Sequence, residues 1–116
     1  MSYDIYLCDK TGKSVEVANH ADGGTYVMGG TTDAWLNITY NYSPFFYDTI
    51  DPDQGICWIY GKTGKETLAR LQEAISKLGT DRDSDYWKAT PGNAGYALSI
   101  LAEWARLNPG AIWNGS

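Results

Sequence analysis

A glycine, a lysine and a threonine lie between an apolar run and a helical run in the stretch GICWIYGKTGKETLARL. A phosphate-binding P-loop needs the pattern G-x-x-x-x-G-K-[ST], in which one short loop curls its backbone N–H groups around phosphates. Here residues 56–60 separate Gly55 from Gly61 and are typical of a strand. A strand holds the two glycines too far apart to close one loop, so the stretch does not predict a P-loop. It predicts that a helix starts after Lys62 and Thr63. The N–H groups and the partial positive charge of a helix N-terminus suit an anion.

A second set of polar residues follows the paired glycines of GGTYVMGGTTDAW. Glycine pairs let a backbone turn sharply or approach a ligand closely. One face of the next strand carries amides, a hydroxyl and an indole, all uncharged, where a solvated face usually carries charges. Such a face can line a pocket that holds a nucleotide-like molecule, with its phosphate at the helix start. The alternative is that the glycine pairs are hairpin turns and Lys62 is a surface charge. The predicted ligand-binding residues are Gly29, Gly30, Thr31, Thr32, Trp35, Asn37, Thr39, Asn41, Lys62 and Thr63.

Catalytic and metal-binding patterns are weak in this chain. His20 is the single histidine and has Asp22 nearby, but a triad also needs a nucleophile with an oriented base. Cys8, Cys57 and His20 lack the paired spacing of a zinc site. The acidic stretches DPDQG and DRDSD lack the glycine and glutamate of a calcium-binding loop and are interpreted as solvated turns. The sequence therefore predicts no catalytic residue, no metal and no cofactor.

The elements that would position these residues are strands first and helices later. Residues 3–8 alternate like a half-buried strand, and DKTGK turns into residues 15–17, which predicts a hairpin. Further strands are expected at residues 25–28, at 35–42, which is the longest, and at 56–60.

Helix signals follow in the second half of the chain. Ser43 before a proline starts a short helix, and Thr63 with Glu66 has capping-box spacing before an amphipathic helix that Gly79 ends. Thr90 before a proline opens a second amphipathic helix, and the tail around Trp113 is expected to pack back on the body. We predict an α+β fold in a single compact domain, residues 1–116: an antiparallel sheet of about four to five strands with two main amphipathic helices in the C-terminal half.

Composition restricts the partners of the protein. The net charge is −5 and the nine Lys and Arg are scattered singly, which argues against binding nucleic acid. No apolar run approaches the roughly 18 residues of a membrane span, and the N-terminal sequence has no export leader, so we expect a cytoplasmic protein with no membrane partner. Both cysteines lie in apolar runs, where a free cysteine behaves as a small buried hydrophobe. Five Trp and nine Tyr favour a surface where a ligand or partner docks.

Several stretches carry a resemblance to a known group of sequences. They are SYDIYLCD, GGTYVMGGTTDAWLNITYNYSPFFY, IYGKTG, DYWKATPGNA and NPGAIWNG, and together they cover nearly the whole chain. They resemble a family of small accessory proteins of bacteria, prophages and phages. The resemblance carries no activity and no residue role with it. It implies a small accessory protein of a mobile element that acts inside a bacterial cell. Phage accessory proteins of this size often act against host defence, and this is an argument by analogy.

These observations favour a non-enzymatic protein that binds a small, nucleotide-derived ligand, such as a host-defence signal that it would sequester. We expect it to be a homo-oligomer, because so small a domain gains enclosed surface by pairing with itself. One alternative is a protein-interaction module, of the inhibitor or immunity type, whose acidic surface masks a basic host or toxin protein. A small hydrolase using His20 and Asp22 is the third possibility.

Overall fold

The computed structural model describes residues 1–21 and 30–116, and within them the chain forms five strands and three α-helices. The elements are β1 (Ser2–Cys8), β2 (Glu16–His20), β3 (Thr31–Asp33), β4 (Trp35–Thr39), α1 (Ser43–Thr49), α2 (Gly64–Leu78), α3 (Pro91–Leu107) and β5 (Ile112–Gly115). This confirms the predicted α+β class, with two main helices in the C-terminal half. Within the same residues, no helix combines the length and the apolar character that crossing a bilayer requires.

The five strands divide between two antiparallel sheets, where we had expected one. β1 is central in a three-stranded sheet of order β4-β1-β5, and β2 pairs with β3 in a two-stranded sheet. The predicted hairpin is therefore formed only near its turn: Asp9 N donates to Lys13 O and Val15 N donates to Leu7 O. β2 then leaves β1, because β4 and β5 occupy the two sides of that strand. The strand predicted at residues 25–28 lies outside the described residues.

Strand alternation gives the three-stranded sheet a helix-facing side and an open side. On the helix-facing side, Trp113 is 1% exposed, and its indole N–H donates to the Thr67 hydroxyl of α2 at 2.8 Å. The predicted packing of the C-terminal segment onto the body is thus confirmed. The apolar residues of α2 and α3 complete the core, while side chains on the open side stay exposed or half-buried except at its ends. The buried sheet residues on the helix-facing side are Ile5, Leu7, Leu36, Ile38 and Trp113.

The strand predicted at residues 56–60 is wrong, because Gly55–Ile59 forms a 3₁₀ helix. Ile56 and Ile59 are both fully buried, and their spacing of three residues matches one helical turn. Cys57 points the other way and is exposed, so our expectation of a buried Cys57 is also wrong. A short apolar run does not distinguish a strand from a helical turn by periodicity alone.

The strand predicted at residues 35–42 is shorter than expected. β4 ends at Thr39, whose hydroxyl accepts a hydrogen bond from the backbone N–H of Asn41 at 3.2 Å. A 3₁₀ helix, Tyr40–Tyr42, then leads into α1. Asn41 therefore leaves the alternation of β4 and is not on the same face as Trp35.

The capping box predicted at the start of α2 is confirmed. The backbone N–H of Thr63 donates to Glu66 Oε1 at 2.9 Å, and the backbone N–H of Glu66 donates to Thr63 Oγ1 at 3.1 Å. Because Glu66 is used in the cap, Arg70 does not pair with it. Arg70 instead donates to Ile50 O at 2.6 Å and places its guanidinium over the Trp58 ring.

The capping box predicts a pH-dependent contribution to stability. The backbone hydrogen bond from Thr63, and then the Thr63 side chain, hold the pKa of Glu66 below its ordinary value. A lowered pKa in the folded state stabilises the fold above the unfolded-state pKa, and this contribution is lost as the pH falls through the folded-state pKa. We therefore expect Glu66→Gln to be less stable than the wild type at neutral pH, with a smaller difference in acid. Urea unfolding of both proteins at the two pH values measures the difference, and a pH-independent difference would contradict the role of this carboxylate.

Candidate functional site

The open side of the three-stranded sheet brings together one charged, two amide and two aromatic side chains. We call this surface the open face and define it by Asp4, Tyr6, Trp35, Asn37 and Asn114. The strand register sets Tyr6 opposite both Trp35 and Asn114, and Asp4 opposite Asn37. Asn114 is exposed and the other four residues are half-buried, so all five are accessible in part.

Tyr6 and Trp35 form the aromatic centre of the open face. Their ring centroids are 6.4 Å apart and their planes differ by 27°. The indole Nε1 of Trp35 is shielded from solvent and has no hydrogen-bond partner within residues 1–21 and 30–116. A buried donor without a partner costs roughly 1–3 kcal/mol. Sequence reasoning singled out Trp35 and missed Tyr6, whose role depends on the register between β1 and β4.

Asn37 is held in place by its neighbours on β1. Its Nδ2 donates to the Ser2 hydroxyl at 2.7 Å and to the Asp4 carboxylate at 3.0 Å. The Asp4 carboxylate can only accept, so these two contacts fix which side of the amide faces β1. Asp4 is the one charged residue of the open face, and sequence reasoning did not select it.

Thr39 and Asn41 serve structural roles in the fold. Thr39 is 6% exposed and caps the 3₁₀ helix that follows β4. The side chain of Asn41 donates to the backbone carbonyl of Trp87 at 2.7 Å. Asn41 thus fixes a neighbouring loop and does not line the open face.

The glycine and threonine residues predicted before β4 lie apart from the open face. Gly29 falls outside the described residues, and Gly30 approaches Asn19 so closely that an added Cβ would lie 3.0 Å from its side-chain oxygen. Thr31 and Thr32 belong to β3, in the two-stranded sheet. The hydroxyl of Thr31 accepts from the backbone N–H of Asp33, which is a local turn contact.

Lys62 and Thr63 lie at the opposite edge of the three-stranded sheet from β4. Residues 61–63 pair with β5, since Gly61 N donates to Trp113 O and Trp113 N donates to Lys62 O. Three strand spacings, about 14 Å in total, separate them from β4. The ammonium of Lys62 donates to Trp58 O at 2.6 Å and lies over the Trp58 ring.

The helix start that we predicted as an anion site has no free donor in its first turn. The N–H groups of residues 64 and 65 donate to backbone carbonyls of residues 111 and 109. The N–H groups of residues 66 and 67 donate to the hydroxyl and the carbonyl of Thr63. An anion would have to break one of these bonds, so the geometry does not favour phosphate binding at this position.

A cleft of about 370 Å³ adjoins Tyr6 on the open side, next to β5 and away from Trp35. It lies between the turn after β1 and the C-terminal strand β5. Burial, and then the nearby charge of Asp9, raise the pKa of the Cys8 thiol in its wall, which keeps it a poor nucleophile. The lining residues are Tyr6, Cys8, Gly12, Ser14, Asn114, Gly115 and Ser116.

His20 is engaged by the fold. Its Nδ1 lies 2.9 Å from Ala21 O and its Nε2 lies 2.7 Å from Asp33 O, while its ring packs on Trp104. Neither ring nitrogen is therefore free to serve a nucleophile, and Asp22 lies outside the described residues. In the part of the chain that the structure describes, no group of three or more His, Cys, Asp or Glu is placed to hold a metal ion.

Comparisons with protein-family models, with curated proteins and with solved structures found no match for the chain.

Proposed function

We propose that the protein is a non-enzymatic binding protein that captures a small planar ligand on its open face. The observation that supports this most directly is the Tyr6–Trp35 ring pair, whose Tyr6 lines a cleft of about 370 Å³. Aromatic rings bind flat ligands by stacking, and ligand sites usually combine such surfaces with a few placed polar groups. Asn37 and Asn114 supply those polar groups at the two sides of the pair.

The negative charge of the open face disfavours contact with the phosphate of a nucleotide-derived ligand. Asp4 gives the face a negative charge, and none of its defining residues is Lys or Arg. The helix start near Lys62, which could have taken a phosphate, donates all its first-turn N–H groups within the chain. We therefore propose that the face recognises a base or nucleoside moiety, with any phosphate left in solvent. Sequestration of a host-defence signal is the biological role that this proposal would serve, and it rests on the family resemblance.

Removing either ring should weaken ligand binding. We expect Tyr6→Ala and Trp35→Ala each to lower the affinity for a bound nucleoside about tenfold or more, since stacking contributes roughly 1–3 kcal/mol per base. Calorimetric titration with nucleosides, their monophosphates and cyclic nucleotides measures this. Trp87→Ala is the control, because it removes an exposed indole elsewhere and should leave the affinity unchanged. Equal affinity in the Trp35 variant, or affinity that requires phosphate, would contradict this site.

A second candidate function, a protein-interaction module, is supported by a rigid loop that presents an exposed tryptophan. Trp87 is 48% exposed and lies in the connection between α2 and α3. The loop backbone is fixed from behind by Asn41, Tyr42 and Asn93, whose amide accepts from Asp83 N and donates to two loop carbonyls. Exposed tryptophans that are already ordered are typical anchors of protein interfaces. The acidic residues of the loop would suit a basic partner.

This alternative predicts capture of one protein in stoichiometric amount from a bacterial lysate. We expect Trp87→Ala to abolish the capture and added salt to weaken it, because the partner would be basic. Tyr47→Ala is a matched control, since Tyr47 is an aromatic side chain of similar exposure, 43%, on a different element. Capture that survives Trp87→Ala would assign the interaction to another surface.

A further inference from the structure

β4 is an edge strand whose outer backbone groups have no partner in residues 1–21 and 30–116. Leu7 N donates to Ala34 O and Tyr40 N donates to Met1 O, so the even-numbered residues of this segment bond toward β1. Backbone direction alternates along a strand, so the odd-numbered residues Trp35, Asn37 and Thr39 direct their N–H groups away from β1. β4 pairs with β1 alone, which leaves its outer edge open.

The second sheet does not cover this edge. Ala34 N donates to Val15 O while Ala34 O accepts from Leu7 N, so the chain leading into β2 lies on the same side of Ala34 as β1. Among the residues that the structure describes, none therefore pairs with the opposite side of the segment that contains β4.

The sequence of β4 lacks the usual protection of an exposed edge. Natural edge strands carry Lys, Pro, a bulge or an inward-pointing charge that prevents another strand from pairing. β4 reads WLNIT, without charge or proline, and its register with β1 is continuous. An uncharged edge is compatible with its own copy, because antiparallel self-pairing brings equivalent residues together and like charges there would repel.

We propose that β4 pairs with β4 of a second copy of this chain, antiparallel, about a two-fold axis at Asn37. In this register Asn37 lies opposite Asn37 of the other copy and Trp35 lies opposite Thr39, and all these residues have outward-directed N–H groups. The two sheets join into one sheet of order β5-β1-β4-β4-β1-β5. Tyr40, which is 39% exposed, falls opposite Ala34 of the other copy and gains burial there.

This pairing makes the open face composite, and that part of the inference rests on the proposed function. The face of each copy continues into the face of the other, so Thr39 of one copy lies beside Trp35 of the other. A ligand on the aromatic pair of one copy would then meet the second copy as well, and both copies would contribute to one binding surface.

The first test measures the oligomeric state without ligand. We expect a dimer by light scattering across a concentration series and by native mass spectrometry. Asn37→Pro should give a monomer, because it removes an outward N–H and places a ring at the two-fold axis. Proline is tolerated where the N–H of an edge strand faces solvent, so circular dichroism and the melting temperature should show that the monomer folds. A wild-type monomer at every concentration, or an Asn37→Pro protein that remains dimeric, would overturn the proposal.

The second test determines which residues of the two β4 strands lie opposite each other, and it does not use the proline variant. Opposed residues in a hydrogen-bonded antiparallel pair have Cα atoms about 5.5 Å apart, which lies within the range of a disulfide. In a Cys57→Ser background, Asn37→Cys should therefore form a disulfide-linked dimer on mild oxidation. Asn114→Cys is the matched control, since it lies on the same face but on β5, and it should stay unlinked. Equal linkage in both variants, or none at position 37, would overturn the register.

The outcomes separate this inference from the proposed function. A linked, ligand-free dimer that binds no nucleoside would leave the interface standing and reject the ligand. A monomer that binds a nucleoside through Trp35 would support the ligand site and reject the interface. Binding of an extended peptide by a wild-type monomer would assign the edge to a strand from another protein.

Discussion

Gly95→Ala is expected to destabilise the fold strongly, by roughly 3 kcal/mol or more. A Cβ at this position of α3 would lie 1.8 Å from the carbonyl oxygen of Gly79, the residue that ends α2. The carbonyl group of Gly79 belongs to the backbone and cannot rotate away as a side chain could. The helices α2 and α3 would therefore have to separate. For a domain of this size, such a loss corresponds to a decrease in melting temperature of about 10 °C or more.

The control for this prediction is Gly110→Ala, where an added Cβ meets nothing within 4 Å. We expect that variant to unfold within about 0.5 kcal/mol of the wild type. Chemical denaturation of both variants, followed by circular dichroism, makes the comparison. Similar stabilities for Gly95→Ala and Gly110→Ala would mean that α2 and α3 can adjust their packing freely.

Trp113→Ala is expected to have the second large effect, a loss of about 3–5 kcal/mol, which is typical of truncating a buried tryptophan. Trp113 is 1% exposed, and its side chain connects β5 to Thr67, which is itself fully buried in α2. The variant leaves a cavity, and it also removes one hydrogen-bond partner of the Thr67 hydroxyl. Because Trp113 also pairs with residues 61–63, the start of α2 should loosen together with β5.

Trp87→Ala is the matched comparison for this tryptophan. Its side chain is 48% exposed, so its truncation should change the free energy of unfolding by no more than about 0.5 kcal/mol. Hydrogen exchange would locate the effect of Trp113→Ala, with faster exchange at residues 61–67 and in β5. A Trp113 variant as stable as the Trp87 variant would contradict the central place of this residue in the core.

The same features connect stability with the proposed ligand site. β5 supplies Asn114 to the open face and Trp113 to the core, since adjacent residues of a strand point to opposite sides. A variant that loosens β5 should therefore weaken ligand binding without touching the ligand. Binding measurements on Tyr6 and Trp35 variants need to be interpreted together with their free energies of unfolding.

Local patterns predicted the helices well. Thr63 with Glu66, and Thr90 before Pro91, start α2 and α3 where expected, because a capping residue contacts backbone only two or three positions away. The same locality explains the error at residues 56–60. Ile56 and Ile59 are apolar whether the segment is a strand or a helical turn, and only their packing against α1 and β5 favours the helical turn.

In the candidate site, too, some features follow from the local sequence and others from the tertiary structure. By itself, the sequence determined that Trp35 and Asn37 share a face of a strand without charged residues, because alternation is a property of the strand itself. Only the tertiary structure decided that Tyr6 is the partner of Trp35 and that Asn41 fixes a loop. It also placed Lys62 at the opposite edge of the sheet from β4. These relations depend on strand order and register, which join residues far apart in the chain and are set by burying Leu36, Ile38 and Trp113 against the helices.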